Sequence, residues 1–118
     1  MSILSAHAAA FYKEVAQNYS LWTIRDERGF PAPMNSDGKR AQPFWSSKTR
    51  AEKIIATVPA YSGFVPFELE LEVFLERWVP GLAKDGMLVG VNWSGGSATG
   101  FDVEPEQVSR NILAQSRS

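Results

Sequence analysis

Four side chains could carry acid–base or metal chemistry: Asp26, Asp37 and Asp102, each near a turn signal, and His7, the single histidine. Three carboxylates that converge can hold a hard cation, and a histidine within reach of a reacting group can move a proton. Their spacing matches no metal-binding loop, and no GxSxG, P-loop or GxGxxG string occurs. With no cysteine at all, thiol catalysis, thiolate zinc, iron–sulfur ligation and disulfides are excluded. His7 falls beside Leu4 and Phe11 on an apolar helix face, which suits a partly buried structural histidine. We therefore expect no catalytic set, no metal and no cofactor. A third reading, a hydrolytic enzyme using an Asp pair or His7, requires such side chains among Asp26, Asp37, Asp102 and His7 to converge.

The residues with a clearer pattern are suited to binding. Phe44-Trp45-Ser46-Ser47 and Asn92-Trp93-Ser94-Gly95 each set a tryptophan near a strand end beside small polar residues. One reading is a shallow aromatic recognition surface, with Trp22 adding to it. In the other, the tryptophans pack in the core and the serines cap a helix. Ser46, Ser47 and the first N–H groups of the following helix could hold an anion, since that helix end carries partial positive charge.

From Gly38 to Lys53 there are five cations (Lys39, Arg40, Lys48, Arg50, Lys53) against Glu52 alone. Glu68, Glu70, Glu72 and Glu76 form an acidic stretch without a cation between Phe67 and Glu76. Such polarity can steer a charged partner or support self-association. The leading expectation is a protein–protein binding module using Arg25, Arg40, Trp45, Arg50 and Trp93. The alternative is a small-molecule or anion sensor using Arg25, Lys39, Arg40, Ser46 and Ser47. A net charge of −1 and the lack of any recognised nucleic-acid motif argue against nucleic acid as partner.

The elements that must position these residues follow from periodicity. Leu4, Ala8, Phe11 and Val15 predict an amphipathic helix over 3–17 with Ser2 as N-cap. A strand over 20–26 alternates Leu21, Thr23 and Arg25 with Trp22, Ile24 and Asp26. Residues 27–40, rich in Gly, Pro, Asn and Asp, read as a long loop of the kind that carries binding elements. A short strand over 41–45 tolerates Pro43 only at a sheet edge, and that edge offers a route to a homodimer. A helix from Ser46/Ser47 to Val58 buries Ala51, Ile54 and Ile55, and Pro59 stops it. A strand over 64–71 precedes a helix on Phe74, Leu75, Trp78 and Leu82 that Pro80-Gly81 ends or kinks. Strands over 87–93 and 98–103 flank the Ser94–Ser97 turn. A last helix over 105–115 buries Val108, Ile112 and Leu113.

The order α-β-β-α-β-α-β-β-α predicts an α+β fold: one mixed sheet of about five strands, covered mainly on one side. Residues 21–56 and 88–114 share a strand–turn–strand–helix plan, as an old duplication would. At 118 residues, with 44% apolar and 21% charged side chains, the chain reads as one domain over 1–118, with 113–118 fraying. No apolar run approaches the roughly 18 residues of a membrane span. Met1–Ala10 has no Lys or Arg and makes a poor signal peptide. A cytoplasmic location is expected.

The strings WTIRDERGFPAP (Trp22–Pro33), NSDGKRAQPFWSSKTRAEKI (Asn35–Ile54) and LVGVNWSGGSATGFDVEPEQV (Leu88–Val108) resemble the bacterial family known as domain of unknown function 2750. The likeness runs from about Phe11 to Val108, and its specificity lies in PFWSS and VNWSG occurring together. SseB-type domains share only the strand–turn–strand–helix plan. The resemblance implies an intracellular bacterial protein and carries over no catalytic residues.

Overall fold

In the computed structural model, which describes residues 2–116, Ser2 opens helix α1 (Ile3–Asn18) by accepting the Ser5 amide at 3.1 Å. Tyr19 closes it in the left-handed conformation at φ 55°, and the chain enters strand β1 (Ser20–Arg25) directly. Helix α2 (Lys48–Thr57) is capped by Ser47, whose hydroxyl accepts the Arg50 amide. Pro59 then starts a single 3₁₀ turn, Pro59–Tyr61.

The strands correct the expectation of one five-stranded sheet. Strand β1 pairs antiparallel with β3 (Val65–Glu70), while β4 (Leu88–Ser94) lies between β2 (Ala41–Phe44), parallel to it, and β5 (Thr99–Val103), antiparallel. Pro43 is the physical reason for the break. Leu88 donates to the Arg40 carbonyl on one side of β2, whereas Trp45 donates to Trp22 on the other. By strand alternation Pro43 shares the Trp45 side and has no N–H to extend that ladder. The two sheets are joined there by the reciprocal Trp22–Trp45 bonds of 2.8 and 2.7 Å and by the Thr23 hydroxyl on the Pro43 carbonyl at 2.8 Å. Strand β2 is thus engaged on both sides, and the free edge expected at Ala41–Trp45 for a homodimer is absent.

Helices lie on both faces, another departure from the expected one-sided cover. Phe11, Val15, Leu21, Phe44, Val89, Val91, Val108 and Ile112 form one core, beneath α1 and the last helix, α5 (Pro105–Ser116). Ile24, Trp45, Ile54, Val58, Tyr61, Leu88 and Trp93 form the other, beneath α2. Leu113, expected inside, is exposed, because Val108 and Ile112 already define the inward stripe of α5. That helix continues to Ser116; the remaining part of the expected frayed tail, 117–118, lies outside the described residues.

Pro80 does not end its helix. The helical run passes from α3 (Leu71–Val73) through a π turn (Phe74–Trp78) into α4 (Val79–Lys84). The wider turn, where Val79 N–H reaches the Phe74 carbonyl, accommodates the proline's missing donor. The segment 27–40 is also ordered rather than slack. Asp26 and Gly29 exchange backbone bonds, and Asn35 Oδ1 accepts the amides of Asp37 and Lys39.

Candidate functional site

Phe44 sits opposite Val91 in the parallel pair, so the segments after them, Trp45-Ser46 and Asn92-Trp93, meet side by side. This explains why the two signatures belong together. The Trp45 indole N–H donates to the Trp93 carbonyl at 2.8 Å, and Ser46 N–H donates to Asn92 Oδ1 at 2.9 Å. Asn92 Nδ2 reaches the His7 carbonyl at 3.1 Å and Ser46 Oγ at 3.0 Å. One buried amide therefore ties α1, the β2–α2 junction and β4 together.

Asn92 has φ 48°, in the left-handed region that Asn tolerates better than most residues, and the β4–β5 register shifts between Val91 and Ser94. Unbroken alternation would put Trp93 with Val89 and Val91. The shift returns it to the Leu88 and Gly90 face, where the indole lies against both Gly90 and Gly100. Its N–H donates to Asp102 Oδ1 at 3.0 Å, while Asp102 Oδ2 accepts Asn35 Nδ2 at 3.0 Å.

Beside this knot is a cavity of about 250 Å³ lined by His7, Arg50, Lys53, Ile54, Thr57 and residues 93–96. Arg50, Lys53, Ile54 and Thr57 form one stripe of α2 at helical spacing. Facing them are His7 from α1 and the Trp93–Gly96 end of β4 with its turn. His7 Nδ1 lies 3.0 Å from Ser94 Oγ. The lining contains two cations and no carboxylate. Behind Arg50, Glu14 accepts both Nε and Nη2 at 3.4 Å and the Ser46 hydroxyl at 2.6 Å.

Burial pushes the Glu14 carboxyl upward, but the Ser46 hydroxyl, the Arg50 guanidinium and the Lys13 charge outweigh it and hold the group below the ordinary carboxylate range. A depressed folded pKa contributes stability above the unfolded value, and that contribution disappears as pH falls through the folded one. Glu14→Gln is therefore expected to be less stable than wild type near neutrality. The two should converge as pH drops from about 4.3 through the lower folded value. Urea denaturation at stepped pH reads this; a gap that persists at pH 2 contradicts the assignment.

Of the residues expected to bind, only Arg50 and Trp93 line this cavity. Trp45 and Trp93 are core side chains, at 0% and 7% exposure, which corrects the aromatic recognition surface. Their shared hydrogen bond and the glycines beneath Trp93 require that burial. Trp22 is half-buried, with Lys48 Nζ 5.9 Å from its ring. Ser46 is buried and Ser47 serves as cap; Glu14 takes the Ser46 hydroxyl, expected to receive a foreign anion, and the Arg50 guanidinium, expected to meet a protein partner. Arg25 stacks over Phe67 at 4.4 Å, Lys39 faces Glu104 at 3.8 Å, and Arg40 donates to the Ala32 carbonyl at 3.0 Å. None of these three joins Arg50 at the cavity.

Two of the carboxylates set aside for hydrolysis have other partners. Asp26 accepts the Arg28 amide, Asp102 braces Trp93, and no three His, Asp or Glu side chains converge as metal ligands among the described residues. Sequence reasoning met Lys53 only as part of the basic segment and Asn92 and Ser94 only as neighbours of Trp93, and it missed Glu14. One signal was available: His7 and Glu14 lie seven residues apart, two helical turns, and so share a face of α1.

Residues 8–112 match the family described as "Protein of unknown function (DUF2750)", and the chain belongs to that family. No curated protein matches the chain. Among solved structures, Anabaena Tic22 (protein transport) is similar over 69% of this chain at 16% identity and a TM-score of 0.42. The match covers 45% of that chain, so this one spans less than half its length. No helix among the described residues is long and apolar enough to cross a membrane.

Proposed function

We propose that this DUF2750 member binds a small anionic molecule with an apolar body in the cavity between α1, α2 and the end of β4. The observation that supports it is the wall itself: Arg50 and Lys53 line a space bounded by Trp93 and Ile54, no carboxylate is among the described lining residues, and Glu14 pairs with Arg50 alone. A cavity of roughly 150 Å³ holds benzene, so about 250 Å³ accepts a ring or branched alkyl group bearing a carboxylate or phosphate. Arg50 is held in place by Glu14 and keeps donors to spare, since a guanidinium has five. Lys53 is exposed and supplies a mobile point charge. The ligand site thus lies one to two helical turns beyond the α2 start where Ser46 and Ser47 had suggested it. A cytoplasmic, bacterial setting belongs to the same proposal and rests on the family resemblance.

The test is a melting-temperature screen with aromatic and branched carboxylates and phosphomonoesters at millimolar concentration, followed by calorimetry. A ligand at 100 times its Kd adds about 2.7 kcal/mol, which moves the transition of a domain this size by about 10 °C. Lys53→Gln is expected to weaken binding about tenfold, the loss of one charge-assisted contact of roughly 1.4 kcal/mol. Stabilisation that Lys53→Gln leaves unchanged would place the ligand elsewhere, and no stabilisation by any compound would overturn the reading.

A further inference from the structure

We infer that Ser94 and His7 form a nucleophile–base pair in this cavity, able to cleave an ester of a small carboxylate-bearing acyl compound. The inference rests on the anion-binding reading for the charge of its substrate, and on separate geometry for its chemistry. Ser94 Oγ and His7 Nδ1 are 3.0 Å apart, within the reach that proton abstraction requires. Both are half-buried and line the cavity rather than the core or open surface.

His7 is tied down through its backbone, because the buried Asn92 amide donates to its carbonyl. Ser94 is fixed as the last residue of β4, directly after Trp93, whose carbonyl and indole are both bonded. Gly95 and Gly96 follow and line the same space. Gly95, at φ 80°, turns the chain tightly beside the hydroxyl, with no Cβ to obstruct an incoming carbonyl group. Arg50 and Lys53 complete the set as holders of the substrate carboxylate.

The steps balance with water as the only co-reactant. With the imidazole proton on Nε2, Nδ1 takes the Ser94 hydroxyl proton as Oγ bonds to the ester carbonyl carbon. The carbon–oxygen bond to the leaving alcohol then breaks, and that alcohol departs with the proton from Nδ1. Water attacks the Ser94 acyl ester by the same route in reverse, releasing the acid and restoring the hydroxyl. Among the described residues no carboxylate is bonded to Nε2, so His7 acts without the third group of a triad and the turnover is correspondingly modest.

The intact protein is treated with a fluorophosphonate, and the modified residue is located by peptide mass spectrometry. In parallel, hydrolysis of the p-nitrophenyl monoester of glutaric acid is compared with that of p-nitrophenyl acetate. Modification of Ser94 is expected, with labelling slowed about 10²-fold in His7→Gln and abolished in Ser94→Ala. The anionic ester should turn over faster than acetate, and Lys53→Gln should remove that preference. An unmodified protein, a label on another serine, or a rate unaltered by Ser94→Ala overturns the inference. The binding proposal fails separately, by the absence of thermal stabilisation. If carboxylates stabilise the protein and Ser94 stays unlabelled, the cavity is a binding site and the chemistry is refuted.

Discussion

Gly90→Ala is expected to lower the unfolding free energy by about 3 kcal/mol, the upper end of what overpacking a core costs. A Cβ at this position would stand 2.3 Å from the Trp93 ring, well inside contact distance. The indole has little room to retreat, because its N–H is held by Asp102 and its own carbonyl by Trp45. Gly100 lies against the Cδ1 end of the same ring, where a Cβ would meet it at 2.5 Å and backbone atoms at 3.2 Å. Gly81, in α4, supplies the contrast. Nothing lies within 4 Å of a Cβ there, so Gly81→Ala should stabilise by up to about 1 kcal/mol through helix propensity and unfolded-state entropy. Urea denaturation of the two variants measures the difference directly. Equal stabilities would mean that Trp93 does not occupy the glycine saddle.

Asn92→Ala should cost a similar amount, about 3 kcal/mol, by a different mechanism. The residue is 1% exposed, and removing its side chain takes the Asn92 partner from the Ser46 amide and the His7 carbonyl. An orphaned buried donor or acceptor costs roughly 1–3 kcal/mol. Alanine also resists the left-handed backbone that Asn92 adopts, for about 1–2 kcal/mol more, while partial relaxation and entry of water offset some of this total. Asn92→Gly loses the same hydrogen bonds without the backbone strain, so it should be more stable than Asn92→Ala by about 1 kcal/mol. An Asn92→Ala protein within 1 kcal/mol of wild type would show that the amide is not the tie between α1, α2 and β4. Because the cavity is built from those three elements, Asn92→Ala should also weaken any anion bound there.

Much of the fold was legible because it obeys short-range rules. Ser2 and Ser47 cap helices where Ser precedes an amphipathic run, and Pro59 ends α2 because it cannot continue it. Pro80 shows the limit of such a rule: its missing N–H is real, but a π turn one step earlier absorbs it. The α+β class and the alternation of β1 were likewise readable, since side-chain parity in a strand follows from backbone geometry alone.

The sequence by itself determined the starts of α1, α2 and α5, the strand-forming runs, the absence of thiol and multi-histidine chemistry, and the pairing of the FWSS and VNWSG signatures as a family mark, while Leu71, read as strand, opens α3. Tertiary structure alone decided what those signatures do. Pro43 stops one continuous sheet from forming, and the register shift at Asn92 reverses the parity that local alternation assigns to Trp93. Charge counting found a basic segment, but could not show that Glu14 binds Arg50 from 36 residues away while Lys53 remains free to face a cavity. The division has one physical cause. Caps, turns and periodicity are settled within about four residues of backbone, whereas burial, ion pairing and a binding wall depend on which distant surfaces come to share a boundary.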